Sequence, residues 1–334
     1  MGPSRTIHTV DYHTGGEPFR IVVDGVDELP GGSVIEKRTW AEEHLDDVRA
    51  FIVNEPRGHA DMYGGFVTDP DDDGADLGVV FFHKDGFSTA CGHGTIALVT
   101  WAIDEGRIPV DGNRVTAVVD VPSGRLTAEA TIESGRVRAV RFVNVASFAT
   151  ATGLTMDTAV GPVTVDIAYG GAFYGSVALD DLPVSVSPEH LGALVAAERE
   201  IKASFDGHPA TTHPTDHRLS GMYGVIFHET VADKPLHQCN VAVFADGEVD
   251  RSPCGSGTSA RLALLHSAGR IEVGEDLRHE SIVGSVFRGR VESVVETPAG
   301  PGVITSVEGS AHRYGRSEFT LDPDDPLGLG FQLR

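Results

Sequence analysis

The phrase Cys-Gly-x-Gly-Thr occurs twice in this chain, as Cys91-Gly92-His93-Gly94-Thr95 and Cys254-Gly255-Ser256-Gly257-Thr258. At a constant offset of 163, residues 90–110 and 253–273 share nine identities in 21 positions without a gap. A repeat at about half of the 334-residue length predicts two related lobes, each presenting one cysteine at the start of one helix. The residues after each phrase, 96–103 and 260–265, are apolar nearly all round, which marks a helix buried on every side. Gly106 and Gly269 stand where a C′ glycine would end each helix.

Short β-rich runs fill most of the rest: residues 6–10, 20–23, 77–82, 115–121, 163–168, 222–227, 241–244 and 281–287. Forty glycines, with prolines, punctuate them, as many short strands and turns require. Amphipathic spacing predicts helices over 40–53 and 188–203, the second with Ser187 as a candidate N-cap. The expected architecture is α/β (α+β): two pseudo-symmetric lobes, each a mostly antiparallel sheet wrapped around a central buried helix. Residues 1–148 form the expected N-terminal lobe, with 312–334 a candidate to return and complete it, and 149–311 form the C-terminal lobe.

The formal charge of −23 argues against nucleic acid or an anionic membrane as partner, because both need a basic patch. The Asp71-Asp72-Asp73 run reads as part of a solvated acidic face. No apolar run is long enough to span a bilayer. Met1-Gly2 with Thr6 fits the myristoylation pattern formally, but Pro3 interrupts it and no basic cluster follows. Three cysteines without disulfide spacing fit a reducing cytoplasm, and Cys239, in an apolar run, reads as a small core residue.

Each repeated cysteine sits beside unpaired helix N-terminal amides and the positive end of the helix dipole. That position is expected to lower the thiol pKa from about 8.5 and to let the same amides hold a carboxylate. Two such ends facing one cleft would clamp a carboxylate and set a thiol on either side of the adjacent carbon. The arrangement suits removal of a proton from one face of an amino-acid Cα and its return to the other. Asp250, four residues before Cys254, is either a receiver for the substrate ammonium or an Asx-turn residue. His93 either polarises the Cys91 thiol, contacts the amine, or is structural.

Cys91-Gly92-His93-Gly94, preceded by His83-Lys84-Asp85-Gly86-Phe87-Ser88-Thr89, resembles the first catalytic motif of the proline racemase family. Asp250-Arg251-Ser252-Pro253-Cys254-Gly255-Ser256-Gly257-Thr258 resembles the second. His13-Thr14-Gly15-Gly16-Glu17-Pro18, Asp166-Ile167-Ala168-Tyr169-Gly170-Gly171 and Tyr223-Gly224-Val225-Ile226-Phe227 agree with it, and the likeness runs from about residue 7 to the C-terminus. The resemblance implies the two-lobed fold shared with diaminopimelate epimerase and an active site in the interlobe cleft. It implies Cys91 and Cys254 as the acid–base pair, and the backbones of Gly92, His93, Gly255 and Ser256 as the carboxylate cradle. Asp250 and His93 would surround the ring nitrogen. It implies neither metal nor pyridoxal phosphate; only four lysines occur, none in a Schiff-base context.

Three activities compete within the family: proline racemase, 4-hydroxyproline 2-epimerase and trans-3-hydroxy-L-proline dehydratase. The dehydratases typically carry threonine for the second cysteine, so Cys254 favours inversion, with a proline racemase-like activity as the first expectation. The flanks at 83–89 and 223–227 look more like racemase and dehydratase members than like 4-hydroxyproline epimerases, and Ala90 replaces the methionine common before the first cysteine. The expected partner is a small imino acid, and a homodimer is the default oligomer. A thiol oxidoreductase lacks its Cys-x-x-Cys here, and His208, His213 and His217 lie in a Pro-rich loop rather than a metal site. A non-catalytic amino-acid-binding protein would not need both cysteines.

Overall fold

The computed structural model of the protein describes residues 6–231 and 234–333. The Met1-Gly2 pattern therefore lies outside the described residues. The chain divides into two compact units, residues 1–140 with 310–334, and residues 141–309.

In the first unit the strand order is Ala311–Thr320, Thr6–Thr14, Glu17–Asp24, Tyr63–Thr68, Leu77–His83, Arg114–Val121 and Gly124–Glu133. Neighbours are antiparallel except Glu17–Asp24 with Tyr63–Thr68 and Leu77–His83 with Arg114–Val121. In the second unit the order is Phe148–Thr158, Gly161–Tyr169, Phe173–Ala178, Met222–Val231, Lys234–Phe244, Asp276–Ser281, Val286–Thr297 and Gly300–Gly309. Here too only two neighbouring pairs are parallel, Phe173–Ala178 with Met222–Val231 and Lys234–Phe244 with Asp276–Ser281. The repeat seen in the phrase thus extends to whole-unit topology.

Inside each sheet runs one motif helix, Gly92–Asp104 in the first unit and Gly255–Ser267 in the second. Residues 92–103 and 255–265 are all buried, as apolar residues on every face require. Removing each large apolar side chain from water contributes roughly 1.5–3 kcal/mol, which fixes these helices as the centres of their cores. Both end in a Schellman motif. Gly106 (φ +70°) donates to Ile103 O and Arg107 to Ala102 O; Gly269 (φ +64°) donates to His266 O and Arg270 to Leu265 O. The buried Arg261 is accommodated by Gln238, whose Oε1 accepts from its Nε at 3.0 Å.

Several local expectations are revised. The helix expected over 40–53 is two helices, Val34–His44 and Asp46–Val53, and the first begins earlier because Asp71 Oδ1 accepts from Val34 N at 2.6 Å. The acidic run is therefore exposed but not idle. The later helix spans Leu191–Ser204, and Ser187 does not cap it: its carbonyl accepts from His190 N, one residue outside. Residues 281–287 are the end of one strand and the start of another, split by a turn at Gly284 (φ +80°). Cys239 is only half-buried, its thiol donating to Ser281 O at 3.9 Å, with burial pushing its pKa up to about 11. Among the described residues, no helix is long and apolar enough to cross a membrane.

Candidate active site

Each motif cysteine is the N-cap of its buried helix, and each sulfur folds back over the first turn. Gly94 N donates to Cys91 Sγ at 3.3 Å, so this thiol does what a serine or aspartate cap does elsewhere, satisfying the amide of the third helical residue. Cys254 makes no such capping hydrogen bond, although its sulfur lies beside Gly257, whose amide favours the thiolate. The second glycine of each phrase makes room for this: a Cβ on Gly94 would lie 2.7 Å from Cys91 Sγ, and one on Gly257 2.9 Å from Cys254 Sγ. The closing threonine is also explained, because Thr95 Oγ1 donates to Cys91 O at 2.9 Å and Thr258 Oγ1 to Cys254 O at 2.6 Å. The first-turn amides of Gly92, His93, Gly255 and Ser256 have no partner within their helices, so the two ends are suited to hold anions.

The two copies differ in three further ways. Cys91 has extended backbone (φ −150°), whereas Cys254 adopts φ +64°, ψ +109°, a region rarely occupied by residues with a Cβ. Such a conformation costs on the order of 1–3 kcal/mol and is held by its surroundings. Here the loop Asp250–Cys254 supplies the restraint: Ser252 N donates to Asp250 Oδ1 at 2.7 Å, and Cys254 N to Ser252 Oγ at 3.1 Å.

The second difference is the polar neighbour of each sulfur. Both ring nitrogens of His93 lie 3.5 Å from Cys91 Sγ. Tyr63 and Phe19 meet that ring edge-on, with centroids 4.9 and 5.9 Å away. Burial pushes the imidazole down to about 3, so it is a neutral hydrogen-bonding group at physiological pH. Thr14 Oγ1 donates to His93 O at 2.8 Å, which ties the His13-Thr14-Gly15 segment to this turn. At the second sulfur the place equivalent to His93 is taken by Ser256, and the polar neighbour is Tyr174. The Cys254 thiol donates to the Tyr174 hydroxyl at 3.6 Å, and that hydroxyl shares a 2.8 Å hydrogen bond with Ser256 Oγ.

Charge is the third difference. Asp250 is 3% exposed, and burial pushes its carboxyl up to about 6, against hydrogen bonds from Ser252 and the Cys254 thiol. Burial also pushes the Cys254 thiol well above its usual range, and Asp250 adds to this. The Tyr174 hydroxyl and Gly257 amide act in the opposite direction and only partly offset it. The expectation that the helix end lowers this thiol is thus corrected: desolvation and a carboxylate neighbour outweigh one helix terminus. The Asx turn considered for Asp250 is present.

The second unit therefore gathers Asp250, Cys254, Gly255 and Ser256, and the first gathers Cys91, Gly92 and His93. Sequence reasoning missed Tyr174, Ser252 and His279, whose Nδ1 lies 2.8 Å from Thr258 Oγ1. A signal for Tyr174 existed in the Gly170-Gly171 pair. A Cβ at Gly170 would come within 2.4 Å of Ser256 O, so only glycine lets this hairpin press the following strand against the helix start. The three loop histidines serve locally: His208 Nδ1 accepts from Ala210 N at 3.1 Å, His213 packs on Tyr169 with centroids 4.9 Å apart, and His217 begins a 3-10 turn.

Comparison with known proteins places this geometry. The family model described as proline racemase matches residues 9–332. A 3-hydroxyproline 2-epimerase from Burkholderia multivorans is 44% identical over 337 residues, with 100% of both chains covered. A trans-3-hydroxy-L-proline dehydratase from Burkholderia cenocepacia is 44% identical over 343 residues, again covering 100% of both. The crystal structure of a hydroxyproline epimerase from Agrobacterium vitis, with bound trans-4-hydroxy-L-proline, has a TM-score of 0.92 at 29% identity, covering 100% of this chain and 97% of that one. With its motifs, topology and whole-length relatives in agreement, this chain belongs to the proline racemase family of enzymes.

Proposed function

We propose that the protein moves a proton at Cα of a hydroxyproline without a cofactor, using Cys91 and Cys254 as the acid–base pair, and that the ring it prefers is 3-hydroxyproline. The observation that supports this most directly is the pair of cysteines at the N-cap positions of two buried helices, each with its sulfur beside the second glycine of its phrase. A carboxylate on the amides of Gly92, His93, Gly255 and Ser256 sets Cα beside sulfur, and the same amides stabilise the enediolate formed when the proton leaves. One sulfur acts as thiolate and takes the Cα proton; the other, as thiol, returns one to the opposite face. His93 contributes a neutral hydrogen bond, not a charge. Asp250 receives the ring ammonium, and that positive charge offsets the carboxylate field that holds the Cys254 thiol up, easing its deprotonation.

The choice of ring rests on the relatives. Those at 44% identity are named for 3-hydroxyproline, whereas the structure with 4-hydroxyproline bound stands at 29%. The expectation of a proline racemase-like activity moves accordingly toward the 3-hydroxylated ring. A second reading, dehydration, is favoured by the equally similar dehydratase. There, loss of the Cα proton expels the C3 hydroxyl as water and leaves an enamine that tautomerises to a pyrroline.

Proton NMR in deuterated water, with L-proline, trans-4-hydroxy-L-proline and trans-3-hydroxy-L-proline offered separately, tests both. Deuterium entering Cα of the 3-hydroxy compound with inversion supports epimerisation; a pyrroline product assigns the dehydratase. Faster exchange of proline or of the 4-hydroxy compound overturns the choice of ring, and exchange of none overturns the proposal.

A further inference from the structure

Tyr174 is 1% exposed and reaches Cys254 from the strand Phe173–Ala178, eighty residues away in sequence. Its hydroxyl touches two groups of the motif: it accepts from the Cys254 thiol at 3.6 Å and shares a proton with Ser256 Oγ at 2.8 Å. A phenol has one proton to give. When the thiol proton points to the phenol oxygen rather than to Asp250, the phenol O–H is free to turn to Ser256 Oγ.

We infer that Tyr174 is a positioning residue for the second thiol, serving as acceptor to Cys254 when it is protonated and as donor when it is a thiolate. When Cys254 gives its proton to Cα, the S–H bonding pair stays on sulfur and the Cα lone pair takes the proton. The phenol O–H then turns from Ser256 Oγ to the new thiolate. Only the thiol proton leaves the trio, to Cα, and Ser256 keeps its hydroxyl hydrogen to give to whatever lies beside it. The phenol stays protonated throughout, since burial pushes its own pKa far above the usual value. The groups that bear on this sulfur are Asp250 in its own loop and Tyr174; Tyr223, on the strand Met222–Val231, bears on Tyr174. The first unit offers Cys91 an imidazole instead, so the device belongs to the second copy alone.

The inference rests on Cys254 cycling between thiol and thiolate, as proposed above, but its test needs no substrate. Alkylation of each cysteine by iodoacetamide is followed by mass spectrometry at about pH 8, where Asp250, with a pKa pushed up to about 6, is ionised. Tyr174→Phe keeps the ring and removes the donor. Losing one hydrogen bond to a charged sulfur raises its pKa by about one to two units. The thiolate fraction falls with that rise and the gain in nucleophilicity offsets only about half of it, so Cys254 should be alkylated about three- to tenfold more slowly, with Cys91 unchanged. An unchanged Cys254 rate in Tyr174→Phe overturns the inference, as does equal slowing at Cys91, which would report general loosening. If Cys254 slows as expected while no proline derivative is turned over, the proposed function fails and this inference stands.

Discussion

The Sγ of Cys91 accepts a hydrogen bond from Gly94 N at 3.3 Å, and a Cβ on that glycine would stand 2.7 Å from the same sulfur. Sulfur and glycine are therefore one unit: the thiol can cap the helix only while position 94 has no side chain. The equivalent pair, Cys254 and Gly257, repeats the close approach at 2.9 Å without the capping hydrogen bond. Alanine at Gly257 is expected to push the sulfur aside and crowd Ile226, destabilising the protein by about 1–3 kcal/mol. Displacing the reacting atom by an ångström costs on the order of a hundredfold in rate. Thermal melts and turnover measured together check this; a variant that melts lower yet turns over at the parent rate would separate the glycine from the chemistry.

Removing either sulfur should abolish inversion. Cys91→Ser and Cys254→Ser are each expected to lower epimerisation at least about a hundredfold, the usual contribution of a positioned acid or base. If dehydration is the physiological reaction, one of the two variants should retain elimination of trans-3-hydroxy-L-proline, because elimination needs a base on one face only. Product analysis by NMR distinguishes the two outcomes.

Asp250 predicts the acid limb of the pH profile. Its carboxyl, pushed up to about 6 by burial, must be ionised to receive an ammonium, so kcat/KM should fall as pH drops through about 6. Asp250→Asn should remove that limb and lower kcat/KM by roughly two to three orders of magnitude, because a buried ammonium is left without its counter-charge. An acid limb that persists at the same pH in the variant would assign it to another group.

Glu198 gives a stability prediction unconnected with the site. It is fully buried on the helix Leu191–Ser204, and desolvation pushes its pKa up to about 7 despite Lys202 Nζ at 3.6 Å. Because the folded pKa lies above the unfolded value of about 4.5, the contribution of this group is fully present below that pH and is lost as pH rises through about 7. Lys202 and Arg199 act against the shift and Asp246 adds to it. The loss amounts to about 3 kcal/mol. Glu198→Gln should flatten the dependence of Tm on pH between about 5 and 8; an unaltered slope would mean that the carboxyl is ionised in both states.

The sequence alone determined the parts of this molecule that depend on local pattern. Apolar residues on every face after Cys91 and Cys254 dictated two buried helices, and Gly106 and Gly269 dictated where they stop. The nine-identity repeat foretold matching topologies, since similar segments bury similar faces. It missed the start of the helix at Val34, because the carboxylate of Asp71 that accepts from its first amide comes from a distant loop.

Tertiary structure decided the electrostatics around each sulfur. Nothing in the phrase Cys-Gly-x-Gly-Thr announces that the second thiol is met by Tyr174 or that Cys254 adopts a positive φ. Nor does it announce that Asp250 is desolvated enough to titrate near 6 and hold that thiol up. Those properties arise from which chains fold over the helix start and how completely they exclude water. At Cys254 the loss of solvation, which only packing can set, outweighs the favourable helix end that the sequence placed there.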